Sequence, residues 1–143
     1  MDEIYHQALK LLRRRDYTIE QLRRKLGDKY GEIPQDVIDR LIQKRFLDDR
    51  RFTENHLLKR CNSHPSMLQE ELLQAGVASE IVTEAMAGKD WPSLQDVLRA
   101  KMLDWNLQAP IPRREAARLF RALARLGYSE DEIREEIGPL HEQ

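Results

Sequence analysis

Cysteine is nearly missing from this chain. Cys61 is the only one in 143 residues, so no internal disulfide can form and a reducing compartment fits. Glycine is sparse as well. The six glycines, Gly27, Gly31, Gly76, Gly88, Gly127 and Gly138, are scattered, and none builds the GxGxxG or GxxxxGK[ST] loop that cradles phosphate. The four histidines, His6, His56, His64 and His141, form no pair at metal-ligand spacing, so no metal is expected. Cys61 near His64 lacks both the third group and the oxyanion pocket that a catalytic pair needs. No stretch approaches the ~18 uninterrupted apolar residues of a membrane helix. The acidic start, Met1-Asp2-Glu3-Ile4, has no apolar signal core. These absences lead us to expect a cytoplasmic chain with no membrane partner, no cofactor and no catalytic residue.

What is present is helical periodicity. Ile4, Ala8, Leu9 and Leu12 recur at three- and four-residue spacing, as do Val37, Ile38, Leu41 and Ile42. Leu68, Leu72 and Leu73 follow the same rule, and so do Leu119, Phe120 and Leu123. No sustained two-residue alternation of β-branched residues appears, so the fold class is all-α. Helix starts are legible too. Thr18 with Gln21, and Ser129 with Glu132, have the grammar of a capping box, and Asp48 reads as a third cap. Pro34, Pro65 and Pro112 stand at or near first helical turns, where a missing N–H costs little.

Three glycines share a register. Gly31 precedes Val37 and Leu41, Gly76 precedes Val82 and Met86, and Gly127 precedes Ile133 and Ile137, each at the same two distances. A glycine after a helix supplies a left-handed cap, and the apolar pair opens the next helix. The spacing predicts three tandem three-helix repeats, residues 1–45, 46–91 and 92–143, forming an elongated, curved helical array. Gly88 to Pro92 reads as the hinge before the third, whose end is acidic. Trp91 and Trp105 are expected to staple the units together.

Charge is balanced in total, with 24 Lys+Arg against 25 Asp+Glu, but not in distribution. Residues 1–60 carry 15 basic and 11 acidic side chains, a net of +4, whereas residues 126–143 carry one Arg against six acids. One basic group is Arg13-Arg14-Arg15 with Arg23-Arg24-Lys25, expected at facing ends of the first two helices. Arg50 and Arg51 follow the third cap. Another group is Arg113, Arg114, Arg118, Arg121 and Arg125, the last four along one helical stripe. A solvated face is the plain reading of such a stripe. The functional one is an anion-facing surface, toward phosphate or an acidic protein groove. A module with Thr18–Leu26 as a DNA-recognition helix, and a scaffold for an unrelated protein, are the rivals. Asp48-Asp49 is read as helix capping rather than an acid–base pair.

Two runs, Ala8-Leu9-Lys10-Leu11-Leu12-Arg13-Arg14-Arg15-Asp16-Tyr17-Thr18-Ile19-Glu20-Gln21-Leu22 and Phe46-Leu47-Asp48-Asp49-Arg50-Arg51-Phe52, resemble the opening and the signature of the RecX family, regulators of the RecA recombinase. Leu123-Ala124-Arg125-Leu126-Gly127-Tyr128-Ser129 resembles that family's third repeat. The resemblance implies nine helices in three repeats and a monomeric, non-enzymatic inhibitor. Its partner would be the groove of the RecA filament on single-stranded DNA, where it would limit filament growth, ATPase, strand exchange and coprotease activity in DNA repair and the SOS response. The thirteen basic residues named above would face that filament, with direct DNA contact at most weak. Four features depart from the family pattern: His64 rather than glycine precedes Pro65, Met67–Leu72 carries no basic residue, the basic pair before the third-repeat glycine is here Arg125-Leu126, and the net charge is not basic.

Overall fold

The computed structural model describes residues 2–141. Among these, nine α-helices and one short 3-10 turn make up the regular structure: α1 Asp2–Arg14, α2 Ile19–Tyr30, α3 Gln35–Gln43, α4 Asp49–Lys59, α5 Pro65–Gln74, α6 Ser79–Met86, α7 Leu94–Asp104, α8 Arg113–Arg125, α9 Glu130–Ile137 and the 3-10 turn Gly138–Leu140. No strand occurs among the described residues; a lone bridge joins Ile111 to His141. The all-α expectation holds.

The chain forms two compact units. The first takes the chain up to Lys59 together with Gln69–Gly88, and the second takes Arg60–Leu68 and the chain from Lys89 onward. The first is centred on Tyr5, Ala8, Leu22, Leu26, Ile38 and Leu41. The second is centred on Val97, Ile111, Leu119, Leu123, Ile133 and Ile137. Both cores are the apolar stripes of their helices turned inward. Not every apolar position follows. Ile42, Leu73 and Phe46 are exposed, and Leu58 and Leu103 are 73% and 82% exposed.

Helix ends follow local chemistry. The Thr18 hydroxyl accepts the Gln21 N–H at 3.0 Å, while Gln21 Oε1 accepts the Thr18 N–H at 3.1 Å, completing the box expected at α2. Ser129 accepts from the Glu132 N–H at 3.2 Å. A further box, Ser93 with Asp96, opens α7. At the carboxyl ends, α5 and α8 close as Schellman motifs with Gly76 (φ 93°) and Gly127 (φ 99°) in left-handed backbone. The same closure ends α3 at Arg45 (φ 64°) and α7 at Asn106 (φ 55°), where no glycine marks it. In α3, for example, the Arg45 N–H donates to Ile42 O at 3.0 Å and the Phe46 N–H to Leu41 O at 2.9 Å. Gly31 differs from the left-handed cap expected of it, because its ψ of −139° lies outside that region.

Two of these turns sit hard against another helix. At Gly76 an added Cβ would lie 2.4 Å from Glu20 Cβ, and at Gly127 one would lie 3.0 Å from Met67 Cβ and 3.2 Å from His64 Cβ. Beside Gly76 the buried Thr18 hydroxyl donates to Ala75 O at 2.6 Å. Beside Gly127 the His64 N–H donates to Leu126 O at 2.7 Å.

Candidate functional site

The arginine-rich helix α8 begins after Pro112, whose φ of −58° suits a helix entry. Ala116, Leu119 and Leu123 turn inward, and Arg113, Arg114, Arg118, Arg121 and Arg125 are all exposed. Steps of four, three and four residues place Arg114, Arg118, Arg121 and Arg125 on one stripe. Arg118 is engaged, pairing with Glu115 at 3.2 Å and lying 4.5 Å over the Trp105 ring. Arg113, Arg114, Arg121 and Arg125 make no ion pair among the described residues. Like charges at helical spacing repel by about 0.2–0.5 kcal/mol per pair. Stability alone does not explain such a stripe.

The amino-terminal basic group is more dispersed than its sequence spacing implies. Arg13 and Arg14 occupy the last turn of α1, where cations complement the helix dipole. Arg15 lies 4.4 Å over the Tyr17 ring. Arg23, Arg24 and Lys25 lie in the second turn of α2 rather than at an end facing α1. Arg23 is half-buried and bonds Gln35, Arg24 pairs with Glu20 at 3.3 Å, and Lys25 is exposed. Arg13 lines a depression with Arg45, Phe46 and Arg51, whereas Arg23 lines a different one with Gly31, Pro34 and Gln35. The two triplets are not brought to one cavity.

The Asp48–Arg51 run is a structural knot. Asp48 Oδ1 accepts the N–H groups of Arg50 at 3.0 Å and Arg51 at 3.1 Å, capping α4. Asp49 instead reaches back to α2, its Oδ1 accepting the Ile19 N–H at 3.0 Å. Burial raises the Asp49 carboxyl above its ordinary range and the neighbouring Asp48 charge adds to this, while the Ile19 bond opposes both. Arg51 donates to Arg45 O at 2.8 Å and Phe46 O at 3.4 Å, holding the carbonyls that follow α3. Arg50 pairs with Glu84.

The remaining chemistry-bearing residues have local partners. His64 Nδ1 faces the Ser66 N–H at 3.1 Å and its hydroxyl at 2.8 Å, an N-cap for α5. Cys61 is exposed. Among the described residues, no group of three or more His, Cys, Asp or Glu is close enough to hold a metal ion. No described helix is long and apolar enough to cross a membrane. Sequence reasoning missed Arg134 and His141, which line a groove with Arg113, Phe120 and Arg121. The charge balance of residues 126–143 hid them among acids.

No protein-family profile matches the chain. Individual proteins do. A protein named regulatory protein RecX from Halorhodospira halophila is 32% identical over 134 residues, covering 89% of this chain and 81% of its own. Its namesake from Trichlorobacter lovleyi is 31% identical over 144 residues, covering 93% and 92%. That from Stenotrophomonas maltophilia is 34% identical over 134 residues, covering 89% and 80%. Among solved structures, RecX from Lactobacillus salivarius superposes with a TM-score of 0.62 at 16% identity over 96% of each chain, a likeness of fold.

Proposed function

The chain belongs to the RecX family of regulatory proteins, and from that membership we propose that it is a non-enzymatic, cytoplasmic regulator of RecA, acting as a monomer. It lies in the groove of the RecA filament on single-stranded DNA and limits filament growth. RecA's ATPase, strand-exchange and coprotease activities fall as a result, in DNA repair and the SOS response. The observation that carries this reading is α8, where Arg114, Arg118, Arg121 and Arg125 are exposed along one stripe of like charge and, among the described residues, only Arg118 of the four has an ion pair to offset the repulsion. An acidic or phosphate-bearing groove removes that repulsion on binding.

The same reading takes the chain as three three-helix repeats over 1–45, 46–91 and 92–143. Two junctions support it. In each, the residue that caps a middle helix (Thr18 for α2, His64 for α5) bonds the carbonyl just before a glycine that follows the next middle helix. In each, that glycine packs closely on the capped helix: an added Cβ would clash with Glu20 at Gly76 and be tightly pressed against Met67 and His64 at Gly127. A repeated rigid body suits a groove, because many weak contacts on one tethered frame add up.

The deciding experiment adds the purified protein to RecA on single-stranded DNA and follows ATP hydrolysis. Hydrolysis is expected to fall, and Arg114→Glu, Arg118→Glu and Arg121→Glu together are expected to relieve the fall. No change at several-fold excess over RecA refutes the reading. A gel shift of DNA without RecA, paired with no effect on hydrolysis, replaces it with the DNA-binding module.

A further inference from the structure

The groove of about 540 Å³ between α8 and α9 sets a cationic rim around an apolar floor. Its floor is apolar: Ala117 and Phe120 come from α8 and Ile137 from α9. The small alanines of α8 leave the space that larger side chains would fill. Its rim is cationic, formed by Arg113, Arg121, Arg134 and His141, and among the described residues no carboxylate lines it. Arg134 is partly satisfied, pairing with Asp131 at 3.0 Å and Glu130 at 3.6 Å. Arg113 and Arg121 have no ion-pair partner among the described residues.

Charge and shape together select the occupant. An apolar concavity favours one bulky side chain, whose burial supplies affinity without direction. Guanidinium groups at the rim favour carboxylates, which they bind in a planar, bidentate way. A nucleotide fits less well. Single strands are held on aromatic platforms that stack successive bases, whereas among the described residues Phe120 is the one phenyl ring in this lining, set among aliphatic groups. A phosphate alone would leave the floor empty. We propose that this groove docks a short acidic peptide segment of a partner protein, its apolar side chain on Ala117, Phe120 and Ile137 and its flanking carboxylates on Arg113 and Arg121. The regulator reading enters only in identifying the protein that carries the segment; the groove's chemistry stands without it.

The test uses the full chain and a fluorescein-labelled peptide in which Asp-Glu pairs flank Phe-Leu, followed by fluorescence anisotropy. Saturable binding is expected. It should weaken about tenfold or more with Ala117→Trp, which fills the floor from an exposed helix position. Similar losses are expected when the peptide's Phe and Leu become Ala, and in the Arg113→Glu, Arg121→Glu double variant. Circular dichroism verifies folding, and Ala117→Glu replaces Ala117→Trp if the latter fails to fold. Undiminished affinity for Ala117→Trp overturns the proposal, as does equal binding of the Phe-to-Ala peptide, which would leave charge alone. Absence of saturable binding overturns it too. An oligothymidylate that displaces the peptide, and whose own binding is lost with Ala117→Trp, overturns it in favour of nucleic acid. RecA hydrolysis measured with the wild-type protein separates the two readings: peptide binding without inhibition leaves the groove assignment standing and removes the regulator proposal, and inhibition without peptide binding does the reverse.

Discussion

Replacing Thr18 by Val tests how much of the first unit rests on one hydroxyl. Thr18 is fully buried, and Val matches its shape while deleting its oxygen. Two bonds disappear together: the cap to the Gln21 N–H at 3.0 Å and the donation to Ala75 O at 2.6 Å. Loss of an N-cap acceptor costs about 0.5–2 kcal/mol. A partly buried carbonyl deprived of its donor costs up to about 1–3 kcal/mol. The sum, about 1.5–5 kcal/mol, lowers a urea midpoint by roughly 1–2.5 M at a slope of about 2 kcal/mol per M. Thr18→Ser keeps both bonds and loses one methyl, near 1 kcal/mol. Urea unfolding followed by circular dichroism on all three proteins decides the matter. A Val variant within about 1 kcal/mol of wild type, or no worse than Ser, refutes the reasoning.

Gly76→Ala is expected to cost about 2–5 kcal/mol, combining left-handed strain with a forced shift of Glu20, because the added Cβ would lie 2.4 Å from Glu20 Cβ. Gly88→Ala, at φ 72° but in open space, should lose only the strain of about 1–2 kcal/mol; thermal melts of the two variants compare them. The raised Asp49 carboxyl means that the folded state holds this proton more tightly than the unfolded chain does. Its contribution to stability therefore grows as pH falls through the raised value toward the ordinary 3.8 and is lost as pH rises again. Asp49→Asn keeps an oxygen for Ile19 and deletes the charge, so its urea midpoint should equal or exceed wild type at neutral pH, with the gain shrinking on acidification. A lower midpoint at neutral pH contradicts that sign. The triple α8 arginine-to-glutamate variant should stay folded and melt only a few degrees from wild type, since each charge is exposed and the losses, the Arg118 pair with Glu115 and its contact with the Trp105 ring, are surface interactions of about 1 kcal/mol or less each.

Helix entry was readable from sequence because capping is local. Thr18 and Gln21 are three residues apart, and so are Ser129 and Glu132, which lets one window contain the whole interaction. Gly76 and Gly127 were readable because only glycine takes left-handed backbone without penalty. Arg45 adopts the same backbone against its own preference and leaves no sequence signal, whereas Asn106 belongs to a residue type that tolerates it, a weaker mark than glycine. The Ser93–Asp96 box is equally local, but it directly follows the Gly88 to Pro92 stretch, whose glycine and proline signal a loop. Asp48 was legible as a cap, while the bond from Asp49 to α2 spans 30 residues and leaves no local trace. Of the candidate surface, the α8 stripe followed from periodicity. Arg51's hold on the α3 carbonyls, and the gathering of Arg134 and His141 beside α8, depend on chain reversals that spacing does not encode.

The bond from Asp49 to the Ile19 N–H bears on the chain as it is synthesised. The amino end of α2 receives that partner only after the polypeptide 30 residues downstream has left the ribosome. Until then the first turn of α2 relies on Thr18, whose own second partner, Ala75 O, emerges later still. Nascent α2 is thus expected to fray from its start and to lock in two stages, a sequence of events that amide exchange on stalled chains of increasing length can resolve residue by residue.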